Sequence, residues 1–157
     1  MIKPIMKSEF FLRLPSEDAG PDDAATGQDL LDTLHEHEHE CVGLAANMIG
    51  VRKRIICVKD GNRALLMYNP QILEQVNAYQ TSEGCLSLIG ERPCTRYRRI
   101  KVEYLDENFV HRIKNFSGYT ARSSNTKSTT ATGLLYSSAV LPNGGPLDAA
   151  RAAFTPI

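Results

Sequence analysis

An α+β domain is what this sequence predicts, on three observations. One stretch near the start carries apolar residues at helical spacing. Several later stretches read as short strands, one with clean alternation. Turn-forming pairs separate those strands, as antiparallel neighbours require. The chain has 157 residues, enough for one domain with a core of its own.

Taken in order, residues 1–20 read as an extended lead-in, with Pro4, Pro15 and Pro21 punctuating it. An amphipathic helix is expected from about Asp22 to Glu38. Ala24, Gly27, Leu31 and Leu34 recur at helical spacing with Leu30 flanking, and Asp22 and Asp23 place negative charge at its N-terminus. The segment "VGLAANMIG" is small and apolar and ends in glycine. "RIICVKD" is a strand followed by a tight turn at Asp60-Gly61, and "ALLMYNP" is a second strand, stopped at Asn69-Pro70. In "RIKVEYLDENF", Ile100, Val102 and Tyr104 share one face and Lys101 and Glu103 the other, with "DEN" turning into "FVHRIKNF".

From about Ala121 the composition shifts to Ser, Thr, Ala and Gly, with little charge and no sustained period, the signature of a poorly ordered tail. Lys+Arg and Asp+Glu are both 18, so bulk charge makes no case for nucleic acid or an acidic membrane as partner. No apolar run is long enough to span a bilayer, and "MIKPIMKSEFF" is no signal peptide, which points to the cytoplasm. Cys41, Cys57, Cys85 and Cys94 are then reduced, and none forms a C-x-x-C pair.

Four stretches carry candidate chemistry. In "VGLAANMIG", Gly43, Ala45, Ala46 and Gly50 leave room for another backbone; the segment is either a cleft wall or, more simply, tightly packed core. "EGCLS" places Cys85 in what reads as a polar loop, with Gly84 permitting an unusual turn and Glu83 and Ser87 orienting it; Cys85 is either a thiolate ligand or, as a lone Cys more often is, structural. "HEHEHE" formally contains H-E-x-x-H through His35, Glu36 and His39, a rival metal site; its place at the polar end of the helix favours a solvated face. "RPCTRYRRIK" gathers Arg92, Arg96, Arg98, Arg99 and Lys101, read as a solvated strand face with one arginine available for a substrate carboxylate.

The order and spacing of "VGLAANMIG", "EGCLS" and "RYRRIKVEYLD" resemble peptide deformylase, over Met1 to about Ala121 and in its Gram-positive-type branch. That family removes the formyl group from the N-terminal formyl-methionine of new bacterial proteins. The resemblance implies antiparallel strands packed around a central helix, and a divalent metal held by one Cys and two His. The metal is Fe²⁺, with Zn²⁺ or Ni²⁺ able to substitute. It carries a water whose pKa it lowers, with a helix glutamate as base. By position Cys85 is the thiolate ligand and the Leu86 backbone N–H helps hold the formyl oxyanion. Val42, Gly43, Gly84 and Arg92 are the expected substrate contacts. Met48 stands where the family usually has a donating Gln, and a thioether cannot donate. Partners implied are formylated nascent peptides near the ribosome, met by a bacterial cytoplasmic monomer.

One departure outweighs the rest. The family's third motif, Q-H-E-x-D-H, belongs just after "GYTA", yet this chain has "RSSNTKSTT" there and no histidine after His111. One reading frame over, the first two codon bases of Asn125, Thr126, Lys127, Thr129 and Thr130 are the last two of Gln, His, Glu, Asp and His. Free third bases supply the remainder, so plausible codons spell Thr-Ile-Val-Gln-His-Glu-Ile-Asp-His. The expectation is therefore a deformylase-like domain over 1–121, incomplete through a one-base deletion near Ala121. Residues 122–157 are then an out-of-frame tail, and the central catalytic helix is missing. As written, the chain is expected to be metal-free, inactive and prone to aggregate. The alternative is a non-catalytic module that binds N-terminal peptides.

Overall fold

A computed structural model of the protein describes residues 1–39, 43–60, 62–85 and 88–117; along 77–85 and 88–100 the description is of the backbone alone. Two helices and five strands make up the described fold: α1 (Glu9–Arg13), α2 (Ala24–Glu36), β1 (Gly43–Ala45), β2 (Ile55–Asp60), β3 (Arg63–Cys85), β4 (Leu88–Leu105) and β5 (His111–Ser117). The strands form one antiparallel sheet in chain order, β1-β2-β3-β4-β5. Helix plus antiparallel sheet is the α+β class expected. The tail expected over 122–157 lies outside the described residues.

Helix α2 forms where periodicity placed it, preceded by a 3-10 turn over Pro21–Asp23 whose Asp23 carboxylate accepts from Gly20 N at 2.9 Å. Its buried face differs from the expected one. Gly27, Leu30, Thr33 and Leu34 are buried, Leu31 is half-buried and Ala24 is exposed. Leu30 is core and not flank, because the helix axis is set by the sheet it rests on. Gly27 marks the closest approach, with Tyr68 Oη 2.1 Å from where a Cβ would stand.

Strand β2 is buried at every position from Ile55 to Val58, so both its faces are covered and its apolar run need not alternate. β2 and β3 pair as a hairpin up to Asp60 and Arg63, where the sequence places a tight turn; Gly61 lies outside the described residues. In β4 the alternation also holds, with Val102 and Tyr104 buried and Lys101 and Glu103 half-buried. The following loop is tied by Asp106, whose carboxylate accepts from Asn108 N (2.9 Å), Val110 N (3.0 Å) and Arg112 Nε (3.0 Å).

Those donors, Val110 N–H first, hold the Asp106 carboxyl below the usual carboxylate range. A lowered folded value contributes stability that is present above the ordinary carboxylate pKa and lost as pH falls through the folded one. Replacing Asp106 with Asn should therefore flatten the acid limb of the stability curve below about pH 4, read by urea melts at stepped pH.

Two expectations are corrected. Asn69-Pro70 does not stop the strand; β3 runs on to Cys85. Asn69 adopts φ 51° and the register shifts between Tyr68 and Gln71, so the pair makes a bulge. The ladder bonds lost at the bulge are replaced from outside the sheet. Asn69 Oδ1 accepts from Ala19 N at 2.7 Å, its Nδ2 donates to Ala19 O at 2.9 Å, and Asn69 N donates to Arg54 O at 2.7 Å. The buried Arg54 adds bonds to Asp18 Oδ1 (2.6 Å) and Pro70 O (2.8 Å). Asn69→Ala should cost about 2 kcal/mol, combining two lost hydrogen bonds with a positive φ that Ala resists. A urea midpoint unchanged from wild type would refute this.

The lead-in is also not extended throughout. Glu9–Arg13 is helical, with Ser8 Oγ accepting from Phe11 N at 3.2 Å. Five residues are too few for a measurable period. Around it, Met6 N donates to Met48 O at 2.7 Å and Glu17 bridges Lys53, so the lead-in lies along the segment that follows β1.

Candidate functional site

Gly43–Ala45 forms β1, in register with Val58, Cys57 and Ile56, and Ala46–Ile49 closes as a 3-10 turn. Gly50 ends that turn at φ 85°, a left-handed conformation that glycine adopts without strain. Every residue from Gly43 to Ile49 is buried, Met48 to 1 % exposure. The packed reading of this segment is thus observed. β1 stands at the end of the sheet order.

Asn47 is the polar residue that sequence reasoning passed over. Its Nδ2 reaches Leu12 O at 3.4 Å, and its buried Oδ1 has no hydrogen-bond partner among the described residues. Nothing in the pattern "AANMIG" distinguishes it beforehand.

The second motif sits elsewhere. Glu83-Gly84-Cys85 ends β3 in the ladder with β4, Glu83 opposite Arg92 and Cys85 opposite Leu88. A polar loop was expected for Cys85; its backbone is instead the end of a strand, with an irregularity between Gly84 and Cys85 that leaves Ile89 and Gly90 unpaired in the register. Leu86 and Val42 lie outside the described residues, as do the side chains of Cys85 and Arg92. Among the described residues no strand pairing joins β1 to Cys85: β1 pairs with β2, β2 with the opening of β3, and Cys85 closes the same strand.

The H-E-x-x-H match at the end of α2 gathers no metal-ligand set among the described residues. The helix ends at Glu36, so His39 falls in the turn beyond it and leaves the face that His35 occupies. Both side chains are solvated, 84 % and 91 % exposed, and both lie beside the Glu38 carboxylate. A groove of about 280 Å³ beside them is lined by Leu34, His35, Glu38, Lys59 and Arg63 and includes none of the residues expected to contact substrate. Among the described residues no three of His, Cys, Asp and Glu gather as metal ligands. The only histidines are His35, His37, His39 and His111, so the residues present do not fit a one-Cys, two-His centre at Cys85.

Comparison with known proteins gives the family context. The family model described as polypeptide deformylase matches residues 6–140. Peptide deformylase of Clostridium beijerinckii is 50% identical over 122 residues, 78% of this chain and 90% of that one. Peptide deformylase 1 of Clostridium perfringens is 37% identical over 98 residues, 60% of this chain and 65% of that one, so the chain spans just under two thirds of this second relative. The Met-Ala-Ser-bound crystal structure of the class I type b peptide deformylase from Acinetobacter baumannii superposes with TM-score 0.68 at 26% identity, covering 78% of this chain and 88% of that one.

Proposed function

This chain belongs to the polypeptide deformylase family, and on that footing we propose that it carries the scaffold of a formyl-methionine deformylase without the parts that perform the chemistry. The family reaction is metal-dependent hydrolysis of the formyl amide at the N-terminus of nascent proteins. Supporting the scaffold are the 50% identity to a deformylase and the "EGCLS" motif. In this role Cys85 would be the one ligand retained and Leu86 N–H the oxyanion donor. Val42, Gly43, Gly84 and Arg92 would meet the peptide, and Met48 would replace a side-chain donor. The intact family member would use Fe²⁺. Formylated nascent peptides near the ribosome would be its substrates, in the bacterial cytoplasm and as a monomer. No helix among the described residues is long and apolar enough to cross a membrane.

One observation carries the rest: no histidine follows His111, although the family match runs to residue 140. That span and the ligand chemistry disagree, and the chemistry decides. Residues 122–140 include no His, Asp or Glu, so no alignment can place two ligands and a base there. Matches covering 78% of the chain leave a share the size of the 122–157 tail. One thiolate does not hold a divalent metal against water and competing thiols. The test is the DNA encoding Ser117–Ser138. Codons that spell Gln-His-Glu-x-Asp-His one frame over assign the gene to an active deformylase and the tail to a frameshift. Codons that do not spell it make the tail authentic and end the hydrolase reading for this protein.

A further inference from the structure

We propose that the groove between the C-terminal end of α2 and the β2–β3 hairpin binds a small aliphatic carboxylate, whose charge meets Arg63 and whose body rests on Leu31 and Leu34. None of the residues expected to contact a formylated peptide lines this groove, so the site is separate from that of the family reaction. Its volume of about 280 Å³ lies just below the usual range for ligand cavities, which suits an occupant the size of one amino-acid derivative. The apolar wall comes from α2. Leu34 is 1 % exposed and belongs to the core. Leu31 and His35 lie one turn apart on the same helix face, and Leu31 is only half-buried. Water at that wall is what an aliphatic body would displace.

The polar wall is not balanced. The charge of Glu38 is met within the protein: Lys59 Nζ lies 3.7 Å from Glu38 Oε2, and His35 Nδ1 lies 3.5 Å from the same oxygen. Lys59 Nζ also donates to Glu38 O at 3.0 Å, covering a carbonyl just past the negative end of α2 that would otherwise repel an anion. Arg63 is exposed and its guanidinium makes no hydrogen bond or ion pair among the described residues. Two cations, Lys59 and Arg63, against the one carboxylate of Glu38 leave a single positive charge in excess. That excess suits a monoanion, since a doubly charged phosphate would also face Glu38. A guanidinium receives a carboxylate through two parallel N–H donors, a geometry that lysine does not reproduce. An exposed pair of this kind adds little by itself, so the aliphatic body has to supply the rest through burial.

The experiment titrates N-acetyl-leucine into the full chain at neutral pH and reads saturation transfer from protein to ligand. A Kd in the low millimolar range is expected, as about twelve non-hydrogen atoms allow. N-acetyl-leucinamide, which keeps the body and loses the charge, should bind about threefold or more weakly. Acetate, which keeps the charge and loses the body, should bind at least about tenfold more weakly. In Arg63→Gln and in Arg63→Ala the acid should fall to the affinity of the amide, while the amide binds as before, which also shows that the groove is intact. Arg63→Lys should retain only part of the preference for the acid. Acid and amide binding alike to the unaltered chain overturns the proposal. So does an acid affinity that survives both Arg63→Gln and Arg63→Ala, an equal loss of acid and amide in both variants, acetate binding as tightly as N-acetyl-leucine, or no transfer to any of the three probes at about 10 mM.

Discussion

Insertion of one base at the codon of Ala121, so that the frame restores Gln-His-Glu-x-Asp-His, should give the chain the deformylase activity that the proposed reading denies it as it stands. The restored protein should retain about one divalent metal ion per chain after dialysis and hydrolyse a formyl-Met peptide. The chain of 157 residues should retain none and turn over at least about 10⁴-fold more slowly. The magnitude follows from what is absent. On the proposed ligand set two of three metal ligands and the general base are missing together, and groups that act as one unit do not leave partial activity in proportion. Substituting Cys85 by Ala in the restored chain should abolish metal retention, as expected of the third ligand. Stoichiometric metal together with turnover by the chain as it stands would sink the proposal.

Gly27→Ala should destabilise the fold by about 1–3 kcal/mol, against the usual direction for glycine in a helix. In an exposed helix interior the same change gains about 0.5–1 kcal/mol through lost unfolded-state freedom. Here the new Cβ would stand 2.1 Å from Tyr68 Oη, 2.8 Å from Leu66 Cδ2 and 3.0 Å from Tyr68 Cζ. Tyr68 is 1 % exposed and its ring lies 4.4 Å, centroid to centroid, from Phe109, so it has little room to withdraw. Overlap with a rigid ring outweighs the entropic gain. Tyr68→Phe deletes the nearest atom and should recover part of the loss in the double variant. Urea melts of the four chains measure that coupling; strict additivity would mean that the hydroxyl is not the obstacle.

How much was legible follows from where each signal lives. Helix α2 was legible because its apolar residues recur within one window. The β2–β3 hairpin was legible because the Asp60-Gly61 pair separates two apolar runs, and β4 because Val102 and Tyr104 alternate with charged neighbours. Which leucine of α2 enters the core was not legible. Leu30 and Leu31 are adjacent in sequence, and the sheet beneath decides between them. Asn69-Pro70 carries a local stop signal that Ala19, distant in sequence, overrides with two hydrogen bonds. Of the candidate site, the residue types of "EGCLS" and "VGLAANMIG" pointed to the family that the comparisons confirm. That Cys85 ends a strand with no pairing to β1 was not in the motif, because a motif records residue order and not the path of the backbone between.

By itself the sequence determined the class, the main strands and the family. Each of these rests on residue identity or local spacing. The tertiary structure alone decided the bulge that carries β3 past Asn69, the helix hidden in the lead-in and the seat of Gly27 against Tyr68. Each of those needs two segments to meet. The free energy of such a meeting depends on partners that no window of sequence includes.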